Sequence, residues 1–215
     1  MRTAPNPLID TLKALASQLI VLHHLAFYGP MSDHAYAPDL IDWLYDYARM
    51  AVQCFLVIGG YLAAQSLAPS GHITKPKFTL PGLLWKRYLR LALPLFAALG
   101  LAIAAAALVR TIHPLPDTPT APALGQLVAH LLLAQQILGH ESLSAGVWYV
   151  AIDFQLFALF AALMWLGRHA GRFANFAPLL VLSLTLASLY GFNRQPELDI
   201  WAPYFFGAYG LGITV

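Results

Sequence analysis

The side chains best suited to chemistry in this sequence are a histidine, two charges placed to support it, and a short basic cluster. His24 and its neighbour His23 end the apolar stretch 8–28, LIDTLKALASQLIVLHHLAFY, which also carries Asp10, Lys13, Ser17 and Gln18. At about 100° per residue Asp10, Lys13, Ser17 and His24 fall at roughly 0°, 300°, 340° and 320°, one narrow stripe, with His23 about 100° away. Hydrocarbon rejects such groups, so the stripe must face protein or water, and ionisable side chains there are functional candidates. Imidazole, with a reference pKa of about 6.5, can take a proton from a hydroxyl at neutral pH, which makes His24 a candidate general base. A buried histidine bonded to a backbone carbonyl is the plain alternative. Lys13 lies roughly 16 Å from His24 along a helix, near the other end of the same stripe. It could pair with Asp10, contact an anionic ligand, or snorkel to the headgroups.

Lys86, Arg87 and Arg90 stand together at the start of another apolar stretch. Such a group suits an anion at the cytoplasmic mouth through charge-assisted hydrogen bonds, or else anchors the helix. Asp153 lies in the apolar stretch 148–167, roughly 7 Å from its start, a depth comparable to that of His24. A carboxylate there can orient or stabilise an imidazolium, or pair with some other polar group. Gly59 and Gly60 permit close helix packing or approach of a ligand. Trp148, Tyr149, Trp165, Trp201, Tyr204 and Phe205 lie near segment ends and read as an interfacial belt. The histidines lack ligand spacing such as HExxH, so no metal site is expected.

The elements that must hold these groups follow from composition. Of 215 residues, 59% are hydrophobic and 10% charged, against about 25% charged in soluble domains. This is the composition of an all-α, polytopic transmembrane bundle, read as one integral domain over 1–215. A formal net charge of +2 gives no reason to expect a nucleic-acid partner. Apolar segments run at 8–28, 50–68, 88–109, 124–139, 148–167, 174–191 and 201–215. Asp33, Asp39, Asp42 and Asp46 lie between the first two, whereas Lys75, Lys77, Lys86, Arg87 and Arg90 lie between or at the edges of the second and third. The positive-inside rule then places the amino terminus and the 69–87 loop in the cytoplasm. Segment 124–139, roughly 24 Å long and interrupted by His130, Gln135 and Gln136, is expected to lie along or dip into the outer interface, which keeps Arg168 and Arg172 inside. Six spans plus one interfacial helix result. The last segment, ending at Val215, is short for a core of about 30 Å, so further spans are expected beyond it.

Four stretches in order, DTLKALASQLIVLHH (10–24), VQCFLVIGGYL (52–62), KRYLRLALP (86–94) and VWYVAIDFQLF (147–157), together resemble the acyltransferase 3 family of membrane O-acyltransferases. Lys13 and His24 match its basic-residue, ten-residue-gap, histidine motif. Phe55 to Gly60 resembles its FFxxSG stretch, with Gly59 in place of serine. Arg87, Arg90 and Pro94 resemble its RxxR before a proline-containing helix. Trp148 to Asp153 resembles WSLxxE, with Tyr149 for serine and Asp153 for glutamate. The resemblance implies transfer of an acyl group, most simply acetyl, from cytoplasmic acyl-CoA to a hydroxyl of an extracytoplasmic carbohydrate or lipid-linked glycan. His24 would then be the base, with Lys13 and Asp153 as supporting charges and Lys86, Arg87 and Arg90 holding the CoA phosphates. Acyl-CoA is a substrate in this reading, and no permanently bound cofactor is expected. The implied location is among the lipids of a bacterial inner membrane. A proton-coupled transporter using Asp10, Lys13, His24 and Asp153 as a relay, and an inactive structural fragment, are the rival readings.

Overall fold

The computed structural model describes residues 6–28, 37–69, 79–113, 118–169 and 176–215. Asp33, Lys75, Lys77 and Arg172, used above to orient the chain, lie outside these residues. Among the described residues the regular structure is entirely helical: α1 (Pro7–Tyr28), α2 (Pro38–Tyr47), α3 (Ala51–Leu67), α4 (Leu80–Ile112), α5 (Leu124–Leu131), α6 (Val147–His169), α7 (Ala177–Tyr190) and α8 (Ala202–Thr214). Prolines mark the first turns of α2, α4, α7 and α8, where the missing N–H costs no intrahelical bond. A 3₁₀ turn, Ala48–Met50, joins α2 to α3 in one helical run.

Among the described residues three helical runs are long and apolar enough to cross a membrane: Pro38–Leu67, Leu80–Ile112 and Val147–His169. The expected all-helical, membrane-spanning architecture is present, and three of the six expected spans meet these criteria. Helix α1 carries the charged stripe, and α7 and α8 have 14 and 13 residues, about 20 Å of helix each. Segment 124–139 is not one helix. Only the eight residues of α5 are helical and turns follow, so it is too short to span, as its polar side chains had suggested.

The core is built by α3, α6, α7 and α8. Ile152, Leu156, Phe160 and Met164 recur every fourth residue on α6 and meet Leu56 of α3, Val181 of α7 and Phe206 and Tyr209 of α8. The contact between α3 and α8 is the most extensive, because glycines strip it of side chains. A Cβ added to Gly60 would overlap the carbonyl oxygen of Tyr209, and one added to Gly212 would overlap that of Val57. At Gly59 the nearest atom would be 3.4 Å away, an ordinary contact. Gly60→Ala is therefore expected to lose about 1–3 kcal/mol or more of stability to overpacking, despite the better helix propensity of alanine. Gly59→Ala should be near neutral. Thermal unfolding of the two detergent-purified variants would show the contrast, and equal melting would refute this account of the interface.

A smaller cluster of Ala26, Leu44 and Ala48, with Leu19 and Ile41 beside it, holds α2 against the end of α1. The region expected to be an external loop thus contains an amphipathic helix, with Leu44 buried and Asp39, Asp42 and Asp46 exposed.

Candidate functional site

At the end of α1, the ring nitrogen Nδ1 of His24 lies 2.8 Å from the carbonyl oxygen of Ile20. A carbonyl can only accept, so Nδ1 carries the proton and Nε2 holds the basic lone pair. The backbone bond of the plain alternative is therefore present, yet it sets the tautomer that a general base needs. His23 donates from Nδ1 to the Leu44 carbonyl of α2 at 2.9 Å, facing a neighbouring helix as its angular position predicts. The two rings meet edge to face with centroids 5.5 Å apart. Lys13 and Ser17 are half-buried and Asp10 is exposed. Lys13 and Asp10 do not form an ion pair.

The second gathering of polar groups is between α4 and α6. Arg87 Nη2 lies 2.5 Å from Asp153 Oδ2, with the side chains 24% and 8% exposed. The guanidinium sits over the ring of Phe157, one turn along α6, at 5.0 Å. Asp153 is thus paired with Arg87 and not with His24. Either charge alone would be costly inside an apolar bundle, and a guanidinium is the strongest partner a carboxylate can find there. The basic trio is divided as a result. Arg87 turns inward, while Lys86 and Arg90, four residues apart on one flank, stay exposed.

Tyr209 of α8 closes this centre. A Cβ added to Gly59 would lie 3.4 Å from its ring and 3.6 Å from Asp153 Oδ1, so both groups sit beside this turn of α3. Tyr149 and Tyr209 are within electrostatic reach of the Arg87–Asp153 pair, and the Tyr149 ring packs on Phe55 with centroids 6.0 Å apart.

A family model described as an acyltransferase domain matches residues 6–214, nearly the whole chain. The chain belongs to the acyltransferase 3 family. No curated protein and no solved structure matches it. Membership in acyltransferase 3 implies acyl transfer, to carbohydrates in general, and the three apolar runs fit an integral membrane protein.

Sequence reasoning missed several polar groups in this acyltransferase. The end of α5 and the turn after it are pinned to the turns that carry Arg87 and Asp153: Tyr88 donates its hydroxyl to the Leu131 carbonyl at 2.6 Å, and Gln155 donates to the Leu133 carbonyl at 3.1 Å. Irregular backbone at such a depth survives only when protein or a polar cavity surrounds it. His130 donates from Nδ1 to the Gln126 carbonyl at 2.7 Å and accepts the Leu143 N–H at Nε2, 3.0 Å away, so both nitrogens are used and its role is to hold the segment. Gln135 is fully buried with neither amide atom bonded. The polar residues in 124–139 were a visible signal. Tyr209 offered none, because in the sequence it is one aromatic among several in the apolar run that forms α8.

Proposed function

We propose that this acyltransferase moves an acyl group, most simply acetyl, from acyl-CoA at the cytoplasmic face to a hydroxyl of an extracytoplasmic carbohydrate or lipid-linked glycan. It would do so in a bacterial inner membrane, with the amino terminus inside and six spans in this chain. The observation that carries the reading is the 2.8 Å contact of His24 Nδ1 with the Ile20 carbonyl, which favours the tautomer with a basic Nε2, on the stripe that also bears Lys13 and Ser17. In this mechanism Nε2 accepts the proton of the acceptor hydroxyl as its oxygen attacks the thioester carbonyl carbon. The carbon–sulfur bond then breaks, and the CoA thiolate leaves and recovers a proton. Lys86 and Arg90, exposed on one flank of α4, are available to the CoA phosphates, and Lys13 adds positive charge to the inner half of the stripe.

Sealed membrane vesicles containing the full-length protein test both chemistry and sidedness. Inverted vesicles given labelled acetyl-CoA should accumulate acetylated glycan, whereas right-side-out vesicles given the same donor should not. Solute flux without a covalent product would favour a transporter, and equal labelling from both faces would overturn the proposed orientation.

A further inference from the structure

Two hydrogen-bond donors at the α4–α6–α8 centre have no acceptor. Tyr209 is 0% exposed and its hydroxyl is unbonded; Arg87 Nε is buried and unbonded although Nη2 of the same guanidinium holds Asp153. A buried polar group left unbonded forfeits its hydration without compensation, so two beside one ion pair call for an explanation. The phenylalanine that would avoid the cost at Tyr209 differs only by the hydroxyl.

Charge limits what these donors can receive. The positive charge of Arg87 is already neutralised by Asp153 at 2.5 Å, so a phosphate or carboxylate would have to displace that carboxylate or sit against it. A neutral oxygen acceptor meets no such penalty. Gly59 itself puts no side chain against the Tyr209 ring or Asp153 Oδ1, both of which lie within 3.6 Å of where its Cβ would be.

We propose that Tyr209 O–H and Arg87 Nε–H form a carbonyl-binding site that takes the oxygen of the transferred acyl group. The assignment rests on the acyl-transfer reading above. When the acceptor oxygen bonds to the thioester carbon, the carbonyl π pair moves onto this oxygen. The two donors then meet a developing oxyanion, and the pair returns to re-form the carbonyl as the carbon–sulfur bond breaks. Donors fixed in a water-poor centre stabilise that charge without reorganising. Tyr209 would thereby be a catalytic residue, a role its sequence context did not suggest.

Tyr209→Phe in the full-length protein is the test, with labelled acetyl-CoA as donor and membrane glycan as acceptor. Removing one such donor should lower kcat by about 10²-fold. The KM for acetyl-CoA should change little, and the thermal stability of the purified protein should be equal or higher, because the lost hydroxyl made no bond. An active wild type with an unchanged kcat in the variant would overturn the carbonyl site alone. A lower kcat accompanied by a matching loss of stability would make Tyr209 structural and also overturn it. A wild type that transfers no acetyl group at all would defeat the acyl-transfer reading, and the carbonyl site with it.

Discussion

His24→Ala is expected to reduce acyl transfer by about 10²–10⁴-fold at matched expression, the usual contribution of a positioned general base. The expectation rests on its tautomer, since the bond from Nδ1 to the Ile20 carbonyl puts the proton on Nδ1 and the basic lone pair on Nε2. His23→Ala should behave differently. It removes the 2.9 Å bond to Leu44 that ties α2 to α1, worth about 0.5–1.5 kcal/mol of local stability, and should leave the rate within a few-fold of wild type. Labelled acetyl transfer and proteolysis around α2 separate the two effects. If His24→Ala kept more than about a tenth of the activity, or His23→Ala were the inactive variant, the base would have been assigned to the wrong ring.

Asp153→Ala is expected to destabilise the protein by about 3 kcal/mol, the lower end of the range for removing one partner of a buried ion pair, because Arg87 retains 24% exposure. The cost comes from a guanidinium left without its counter-ion beside Phe157. Replacing both partners by apolar residues of similar volume, Arg87→Met with Asp153→Leu, should restore most of the stability while abolishing transfer. Thermal unfolding of the detergent-purified variants measures the first effect and the vesicle assay the second. A single Asp153→Ala variant as stable as wild type would show that the pair does not hold α4 to α6.

What could be read from the chain was local. The stripe of Asp10, Lys13, Ser17 and His24 follows from helical periodicity alone, and α1 forms as one helix over Pro7–Tyr28. The segments within α3, α4 and α6 were visible because length and apolarity are properties of a single stretch. Even there a boundary moved. Helix α4 begins at Leu80 and not near residue 88, because Lys86, Arg87 and Arg90 resemble a cytoplasmic loop when counted as charges but are good helix formers. Helix α2 was hidden for a similar reason: its acids on one face drew attention away from Ile41 and Leu44 on the other.

Contacts between distant segments were decided only by the tertiary structure. Comparable depth made His24 a conceivable partner for Asp153, but depth along two helices does not determine which faces meet. The packed bundle puts Asp153 against Arg87, 66 positions earlier in the chain, because two opposite charges in an apolar interior are least costly together. The same packing buries the hydroxyl of Tyr209 and the amide of Gln135 without partners. Residue type and spacing thus determined the helices, the stripe and the family resemblance. The centre around Arg87, Asp153 and Tyr209 arose from helix packing, because desolvation and hydrogen-bond satisfaction depend on every neighbour that a fold brings to one place.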